Sequence, residues 1–434
     1  MLDIVLGFIC FGVCIYFLRR LRSRFELLLS FNFIVTAFTV RVLAGVFLTY
    51  LYTYYYPDRL QADTFRYFDD SCHLHKMLFA APLDYATIML GGGSEVRFTY
   101  PLLEETLNWF QGIRSPLYND NRTIVRINTI IQWISFGSYY VHMCVFVFMG
   151  FVGQMIIFKT FQKYVKGKVI LFGFVIFMIP SLVFWTSSIL KEGPLFLALG
   201  FLLRIMEKIM RKSGSKKDLF FIILLFLFLF QMKFYVGLML LPIFSLYYVL
   251  GKWPKVNRFK LVLINYGSYF GAALLWHIIR FKWSLFTVFK WKKRDFMSLA
   301  ETMDAKSYMD TYVLEDTPLS FLANIPQGLF NSLFRPFIWE VYNPVILMSA
   351  LENLLLISFM SFCVYWRKRE RVSNLALCTI LYATSLLAIV GMVTPIMGSL
   401  VRYKIPALPF LLLFFLMILD VDKLKQKFPR LQKV

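Results

Sequence analysis

Apolar runs of membrane-spanning length recur along almost the whole chain, separated by short polar or basic segments. A helix needs about 20 predominantly apolar residues to cross a hydrocarbon core of about 30 Å. The sequence lacks the weakly alternating segments of about ten residues that are typical of membrane β-barrels. The pattern therefore predicts an all-α fold, a polytopic bundle of membrane helices.

We expect about eleven spans, bounded by polar or charged residues. The segment 219–250 is the least regular, since it is long enough for one extended helix but is basic at both flanks. Two short spans that meet at Gln231–Tyr235 satisfy the charge pattern, whereas a single helix does not. The predicted spans lie at about 4–18, 26–54, 131–158, 169–190, 194–207, 219–250 (as a hairpin), 261–280, 342–366, 374–397 and 404–420.

Basic clusters between the spans predict the orientation, because Lys and Arg are enriched in cytoplasmic loops. We expect the N-terminus outside and the C-terminus in the cytoplasm, in a bacterial inner membrane. Lys290–Arg294 does not fit, since it falls in an outer loop, although long loops follow the rule weakly. The clusters expected in the cytoplasm are Arg19–Arg24, Lys159–Lys168, Lys208–Lys217, Lys252–Lys260, Arg367–Arg371 and the tail from Lys423.

Residues 1–434 are predicted to form a single transmembrane domain that carries two extracytoplasmic loops, 55–130 and 281–341. Within the first loop, apolar residues spaced four and three apart over 103–114 predict a helix that lies on the membrane surface. A similar spacing over 74–81 predicts another. Such helices beside an apolar bundle would enclose a cavity that is half lipid and half water.

Composition agrees with a membrane protein and narrows the function. The 434 residues are 59% hydrophobic and 19% aromatic, with a mean hydropathy of +0.64. The net charge of +22 does not indicate a nucleic-acid partner, because the basic residues lie mostly in short loops, where they attract anionic lipid. Five of the six cysteines lie in apolar spans and act there as small hydrophobes, so no disulfide framework is predicted.

A carboxylate in the first outer loop is the candidate catalytic residue. Asp63 begins a D-x-x-x-Y run that ends at Tyr67. A carboxylate just outside the lipid can take a proton from an acceptor hydroxyl. The plainer interpretation is a surface carboxylate beside an interface tyrosine. Asp69 is a supporting candidate, and we expect at least one of Asp69 and its neighbour Asp70 to be structural.

Four cations on the same predicted side suit the binding of a donor phosphate. They are Lys191, Lys233, Arg335 and Arg402. Arg offers a planar bidentate fork to phosphate, and Lys a point charge. Interface anchoring, helix capping and snorkelling are the plainer roles. Arg335 and Arg402, however, lie on the side where basic anchors are disfavoured.

Further polar residues accompany these cations as supporting candidates. Glu192 follows one of the lysines, and Tyr403 follows the second arginine. Glu340 lies five residues after Arg335 and is as well placed for an ion pair as for catalysis. Glu352–Asn353 lies deep in a predicted span, where we expect hydrogen bonds within the bundle.

Three runs are similar to those of a known family: Ala62–Tyr67, Pro180–Glu192 and Gly398–Pro406. Through these runs the sequence resembles the GT-C superfamily of integral-membrane glycosyltransferases. As architecture the resemblance covers most of the chain, although its motifs are short and degenerate. The run Arg335–Glu340, followed by Asn343–Pro344, also resembles uncharacterised bacterial membrane proteins placed near this group.

The resemblance implies a GT-C-like bundle in which Asp63 is the catalytic base and the Arg/Lys set binds a polyprenyl-phosphate donor. Two departures are visible. The acidic loop follows the second predicted span rather than the first, and Asp63 is followed by Thr64 instead of a second acidic residue. Without that partner carboxylate, no divalent metal is indicated and the cofactor is unknown.

The preferred function is transfer of a sugar from a polyprenyl-phosphate-linked donor to a lipid, glycan or protein acceptor at the extracytoplasmic face. A second hypothesis is an extracytoplasmic polysaccharide polymerase or O-antigen-type ligase, which would rely on Arg more than on Asp. A third is a transporter, or a scaffold subunit of an envelope complex. A transporter is expected to have paired broken helices, and the hairpin at 219–250 has no obvious counterpart in the sequence.

Overall fold

The structure of the protein is a computed structural model that describes residues 2–55, 59, 62–91, 103–109, 118–280, 283–302 and 307–428. Over these residues the chain is α-helical, with short 3-10 and π-helical turns and two isolated β-bridges. The all-α prediction is confirmed. The chain divides into a first unit, Met1–Phe161 with Ile176–Phe234, and a second unit, Gln162–Val175 with Tyr235–Val434.

The helices are numbered in chain order. The first nine are α1 (Leu2–Arg24), α2 (Phe31–Tyr50), α3 (Asp63–Ala80), α4 (Pro82–Met89), α5 (Asn121–Ser135), α6 (Tyr139–Phe161), α7 (Val169–Phe177), α8 (Pro180–Trp185) and α9 (Glu192–Met210). The others are α10 (Lys216–Lys252), α11 (Arg258–Ile279), α12 (Leu285–Thr302), α13 (Pro318–Phe334), α14 (Pro344–Tyr365), α15 (Asn374–Val393), α16 (Met397–Tyr403), α17 (Leu408–Ile418) and α18 (Val421–Lys427).

Seven of the described helices are long and apolar enough to cross a membrane: α1, α2, α6, α10, α11, α14 and α15. The pair α16 and α17, bent by 61°, would count as an eighth. These helices indicate a multi-pass membrane protein, whereas the count of about eleven spans stays a prediction. The predicted span 169–190 is divided into α7 and α8, and Pro180 begins the second piece, because proline has no N–H to continue a helix.

Helix α10 is interrupted where the sequence predicts a turn. Its 37 residues would measure about 55 Å if straight, well beyond the thickness of a hydrocarbon core. At Lys233 the backbone leaves the helical region, with φ −150° and ψ 89°. This break lies within the predicted turn Gln231–Tyr235. The arrangement of the two halves as a hairpin stays a prediction.

The first unit is organised around the close packing of α6 on α9. Gly153 of α6 faces the backbone of α9 so closely that a Cβ atom there would overlap the Phe196 carbonyl. Gly200 of α9 faces Gly153 in the same way. Small residues at a helix interface let two backbones approach, as is common in membrane proteins. This contact fixes the helix at whose first residues Lys191 and Glu192 lie.

In the second unit, α15 packs against both α13 and α17. The Tyr382 and Phe410 rings meet edge to face, with centroids 5.0 Å apart. Lys168 donates to the carbonyls of Leu416 (2.5 Å) and Leu419 (2.8 Å). A cation at the last carbonyls of a helix satisfies groups that have no intrahelical partner.

The predicted outer loops contain helices. The first carries α3, α4 and most of α5, and the second carries α12 and α13. Residues 74–80 are helical as expected, at the end of α3. Residues 103–109, however, form turns instead of the predicted surface helix, because the Asp70 carboxylate accepts the N–H groups of Leu107 (2.9 Å) and Asn108 (2.8 Å). The rest of that prediction, 110–114, lies outside the described residues.

Candidate functional site

The start of α3 is hydrogen-bonded to the turn that precedes α9. The Thr64 and Ser188 hydroxyls are 2.6 Å apart, and Thr64 is 2.7 Å from the hydroxyl of Tyr139. All three side chains belong to the first unit. Asp63, the first residue of α3, is half-buried beside this network. The structure therefore brings together two of the runs that carry the family resemblance.

Lys191 lies three residues after Ser188 of this junction. Its Nζ lies 2.7 Å from Oδ1 of Asp120, with exposed side-chain fractions of 8% and 23%. The same Nζ lies 6.0 Å from the centroid of the Tyr67 ring, the distance of a cation–π contact. The Tyr67 hydroxyl donates to Oδ1 of Asn121 at 2.9 Å. Lys191, Tyr67 and Asp120 thus form one cluster.

Lys233 forms the most enclosed ion pair of the first unit. Its Nζ donates to Oε1 of Glu192 at 2.7 Å, and the side chains are 2% and 0% exposed. Lys233 is also the residue at which α10 is broken. The pair therefore joins this break to the first turn of α9, one residue after Lys191.

Arg41 in the middle of α2 is a buried cation that the sequence analysis missed. Its Nη1 donates to Oγ1 of Thr186 at 2.6 Å, and Nη2 to the carbonyl of Phe177 at 3.1 Å. These bonds join α2 to the end of α7 and to the residue that follows α8. A signal was present, since an ionisable residue within an apolar span is by default a functional or structural marker.

The acidic neighbours Asp69 and Asp70 have different roles. Asp69 forms a bidentate pair with the exposed Arg59, with nitrogen–oxygen distances of 2.9 and 2.7 Å. Asp70 is buried and holds residues 107 and 108 through their N–H groups. Burial raises the pKa of Asp70, and these two hydrogen bonds oppose that rise. The expectation that one of the two carboxylates is structural is confirmed for Asp70.

The remaining predicted residues belong to the second unit. Arg335 and Glu340 form an ion pair, with Nε and Oε1 3.2 Å apart, and Glu340 also accepts the N–H of Phe337. The ion pair, one of the two roles considered for Glu340, is thus present. Arg402 is half-buried. Tyr403 packs edge to face on Phe296, with centroids 5.3 Å apart.

Lys404 is the fully buried cation of this region, although the sequence analysis favoured its neighbour Arg402. Its Nζ donates to Oδ1 of Asn353 at 2.7 Å and more weakly to the carbonyl of Ser332 at 3.4 Å. The amide of Asn353 is thus hydrogen-bonded inside the bundle, as expected. Lys404 also lies at the bend between α16 and α17.

Three of the carboxylates in the first unit have separate cation partners. Asp120, Glu192 and Asp69 each pair with a separate Lys or Arg. Within the described residues, three potential metal ligands converge only at Cys10, Cys14 and Cys144, which lie apart from the predicted residues in sequence. The geometry of the first unit thus offers a carboxylate at a helix start, Asp63, and a buried cation, Lys191, whose partner Asp120 is partly exposed.

Comparison with protein-family models, with curated proteins and with solved structures finds no match for this chain. The function is therefore inferred from the residues and their geometry.

Proposed function

We propose that the protein is a membrane glycosyltransferase of GT-C type that uses a polyprenyl-phosphate-linked sugar at the extracytoplasmic face of a bacterial inner membrane. The observation that supports this most is the junction of α3 with the turn before α9. There the Thr64–Ser188 hydrogen bond holds the Asp63 end of α3 against the segment that leads into Lys191. A base and a phosphate-binding cation would need such a connection.

In this proposal Asp63 takes the proton of the acceptor hydroxyl as that oxygen attacks the sugar. The bond from the sugar to the phosphate oxygen breaks, and the phosphate leaves with the electron pair. Lys191 compensates the charge that develops on the leaving group. Its partner Asp120 is 23% exposed, so the phosphate would bind Lys191 by displacing this carboxylate. The acceptor is a lipid, a glycan or a protein.

Lys233 has a positioning role in the proposal. Its side chain is 2% exposed and its Nζ is engaged by Glu192, so it has little surface to offer a donor. It instead fixes the first turn of α9 and with it the position of Lys191. Arg335 and Arg402 remain proposed phosphate-binding residues, supported by their positive charge and their sequence runs.

A second candidate function is transport, and one observation favours it. Two described helical segments are interrupted at a buried lysine, α10 at Lys233 and the α16–α17 pair at Lys404. The sequence offered no counterpart to the first interruption, whereas the structure has one. Discontinuous helices with polar groups at the break are typical of secondary transporters.

A polymerase or ligase remains the third candidate, distinguished by reliance on arginine.

The test is glycan profiling and complementation of cells that express Asp63→Asn, Lys191→Met or Arg402→Ala, with membrane levels measured. We expect the first two to lower transfer by about 100-fold or more. The matched control is Lys159→Met, which removes a lysine that pairs with the exposed Glu26 in the same unit and should leave transfer unchanged.

Other outcomes separate the candidates. If Asp63→Asn retains activity while Arg402→Ala is inactive, the polymerase or ligase function replaces the transferase. If all three variants behave as wild type, the proposed site is wrong. A transporter would instead lose uptake into proteoliposomes in Lys404→Met, with the glycan profile unaffected.

A further inference from the structure

Three cysteines converge between α1 and α6. The Sγ atoms of Cys10, Cys14 and Cys144 all lie within 4.8 Å of one another, and those of Cys14 and Cys144 are 3.9 Å apart. Cys14 and Cys144 are buried, and Cys10 is half-buried. All three belong to the first unit, and neither the proposed reaction nor the transport alternative uses them.

The local sequence explains how the three sulfurs meet. Gly7, Cys10 and Cys14 are spaced three and four residues apart, so they share one face of α1. A Cβ atom on Gly7 would lie only 2.7 Å from the Cβ of Tyr140 on α6. The absent side chain at Gly7 thus lets α1 approach α6 closely, which brings the two thiols of α1 against Cys144.

Close packing alone would require only small residues on this face. Alanine or serine would satisfy that requirement as well as cysteine. Close packing therefore does not explain why three thiols from two helices converge. Thiols are soft ligands that select thiophilic metals, so a metal site would explain it. With metal–sulfur bonds of about 2.3 Å, three sulfurs around one ion lie about 4.0 Å apart. The observed spacing therefore needs adjustments of less than about 1 Å to reach that arrangement.

The surroundings favour an ion that accepts few ligands. An apolar groove borders the cluster, lined by Phe11, Val42 and Tyr140 together with Cys144. Zn²⁺ in structural sites takes four ligands in a tetrahedron, whereas Cu(I) is stable with two or three sulfurs. Met143 precedes Cys144 in α6, and its thioether sulfur lies 4.0 Å from the hydroxyl oxygen of Thr49 in α2.

We propose that Cys10, Cys14 and Cys144 form a binding site for a soft monovalent cation, Cu(I). Binding replaces the S–H protons of the ligating thiols with metal–sulfur bonds and releases those protons. No electron is transferred. The site would fasten α1, which is otherwise largely exposed on its outer faces, to the core helix α6.

The test is a Cu(I) titration of the full-length protein, purified in detergent under reducing conditions, against a chromogenic Cu(I) chelator. We expect the wild type to retain about one Cu(I) per chain. Cys14→Ser and Cys144→Ser should each weaken binding by at least about 100-fold, since even the loss of an outer-shell partner of a metal site costs 10- to 100-fold. The matched controls are Cys363→Ser and Cys378→Ser, which remove buried cysteines of the second unit.

A second measurement needs no variant and keeps the proposal testable if a substitution disturbs folding. Wild-type protein is alkylated with and without Cu(I), and modified cysteines are identified by mass spectrometry. We expect protection of Cys10, the half-buried thiol of the three, but not of the half-buried Cys72. Equal Cu(I) retention in the Cys14→Ser and Cys144→Ser variants, or no protection, would overturn the proposal. A Cys14–Cys144 disulfide, detected as a mass lower by two hydrogens in the purified protein, would also overturn it.

Discussion

At the residue scale, burial separates the charged pairs into two kinds. The Lys233–Glu192 pair is almost wholly enclosed, whereas the carboxylate of the Lys191–Asp120 pair is partly exposed. A buried pair gains little net stability, but the loss of one partner leaves an uncompensated charge. A partly exposed pair can instead exchange a partner for a ligand. The two neighbouring residues of one motif, Lys191 and Glu192, thus have different proposed roles.

Lys233→Met should destabilise the protein strongly. The substitution leaves Glu192, which is 0% exposed, without its cation, at a cost of about 3–5 kcal/mol. Adding Glu192→Gln should recover part of that loss, since it removes the buried charge. The measurement is thermal unfolding of the purified protein in detergent.

The control for this experiment is Lys159→Met. Lys159 pairs with Glu26, whose side chain is 82% exposed, so its loss should cost at most about 1 kcal/mol. If Lys233→Met were as stable as this control, the buried pair would not be what holds the break in α10. Failure of Glu192→Gln to restore stability would assign the loss to packing and not to charge.

Lys293 should make stability depend on pH in the alkaline range. Its side chain is buried in α12, and its Nζ donates to the carbonyl of Tyr312. Burial lowers the pKa of Lys293 to about 8. The unfolded chain therefore binds more protons than the folded one between pH 8 and the usual lysine pKa of about 10.4, and stability rises with pH across that window.

The gain across this window is at most about 3 kcal/mol. It is measured as the melting temperature from pH 7 to pH 10, for wild type beside Lys293→Met. The variant should show a smaller alkaline rise, because burial also lowers the pKa of Lys168 to about 8 and that lysine is still present. A rise of equal size in both proteins would mean that another group titrates, and the buried Lys293 would then not be its source.

At the element scale, Gly153→Ala tests the α6–α9 contact. A Cβ atom there would overlap the Phe196 carbonyl, which belongs to helix backbone and cannot turn aside. We expect a loss of about 1–3 kcal/mol, the range for overpacking. Gly12→Ala is the matched control, because nothing lies within 4 Å of its added methyl group. It should be neutral or stabilising by up to about 1 kcal/mol. Unfolding in detergent compares them, and equal stability would mean that the helices are not in close contact at Gly153.

The sequence predicts helices better than it predicts contacts between them. The apolar runs predict most of the spans, and the basic residues at both flanks of 219–250 predict the break at Lys233. Apolar runs and flanking charges are local properties of the sequence. Asp120, the partner of Lys191, was missed because 71 positions separate the two residues along the chain. The 103–109 turn was missed for the same reason, since its cause is the distant Asp70.

At the scale of the whole molecule, the second outer loop holds basic residues that conflict with the predicted orientation. The structure gives some of them partners within that loop. Lys290 lies 3.2 Å from Asp316, and Lys293 is buried against Tyr312. Residues paired in this way contribute less free positive charge than the cytoplasmic clusters do. The rule that places Lys and Arg inside concerns loop charge near the ends of the spans, so we keep the predicted orientation.

This orientation predicts which side of the membrane each loop can be labelled from. Leu299→Cys on α12 should react with a membrane-impermeant maleimide in intact spheroplasts, because Leu299 is exposed and α12 lies in the predicted outer loop. Ser213→Cys, in the exposed basic segment between α9 and α10, should react only after lysis. Both substitutions are made in a Cys72→Ser background, since Cys72 lies in the first predicted outer loop. The reverse labelling pattern would place Lys191 and Asp63 on the cytoplasmic side, where a lipid-linked donor at the outer face could not reach them.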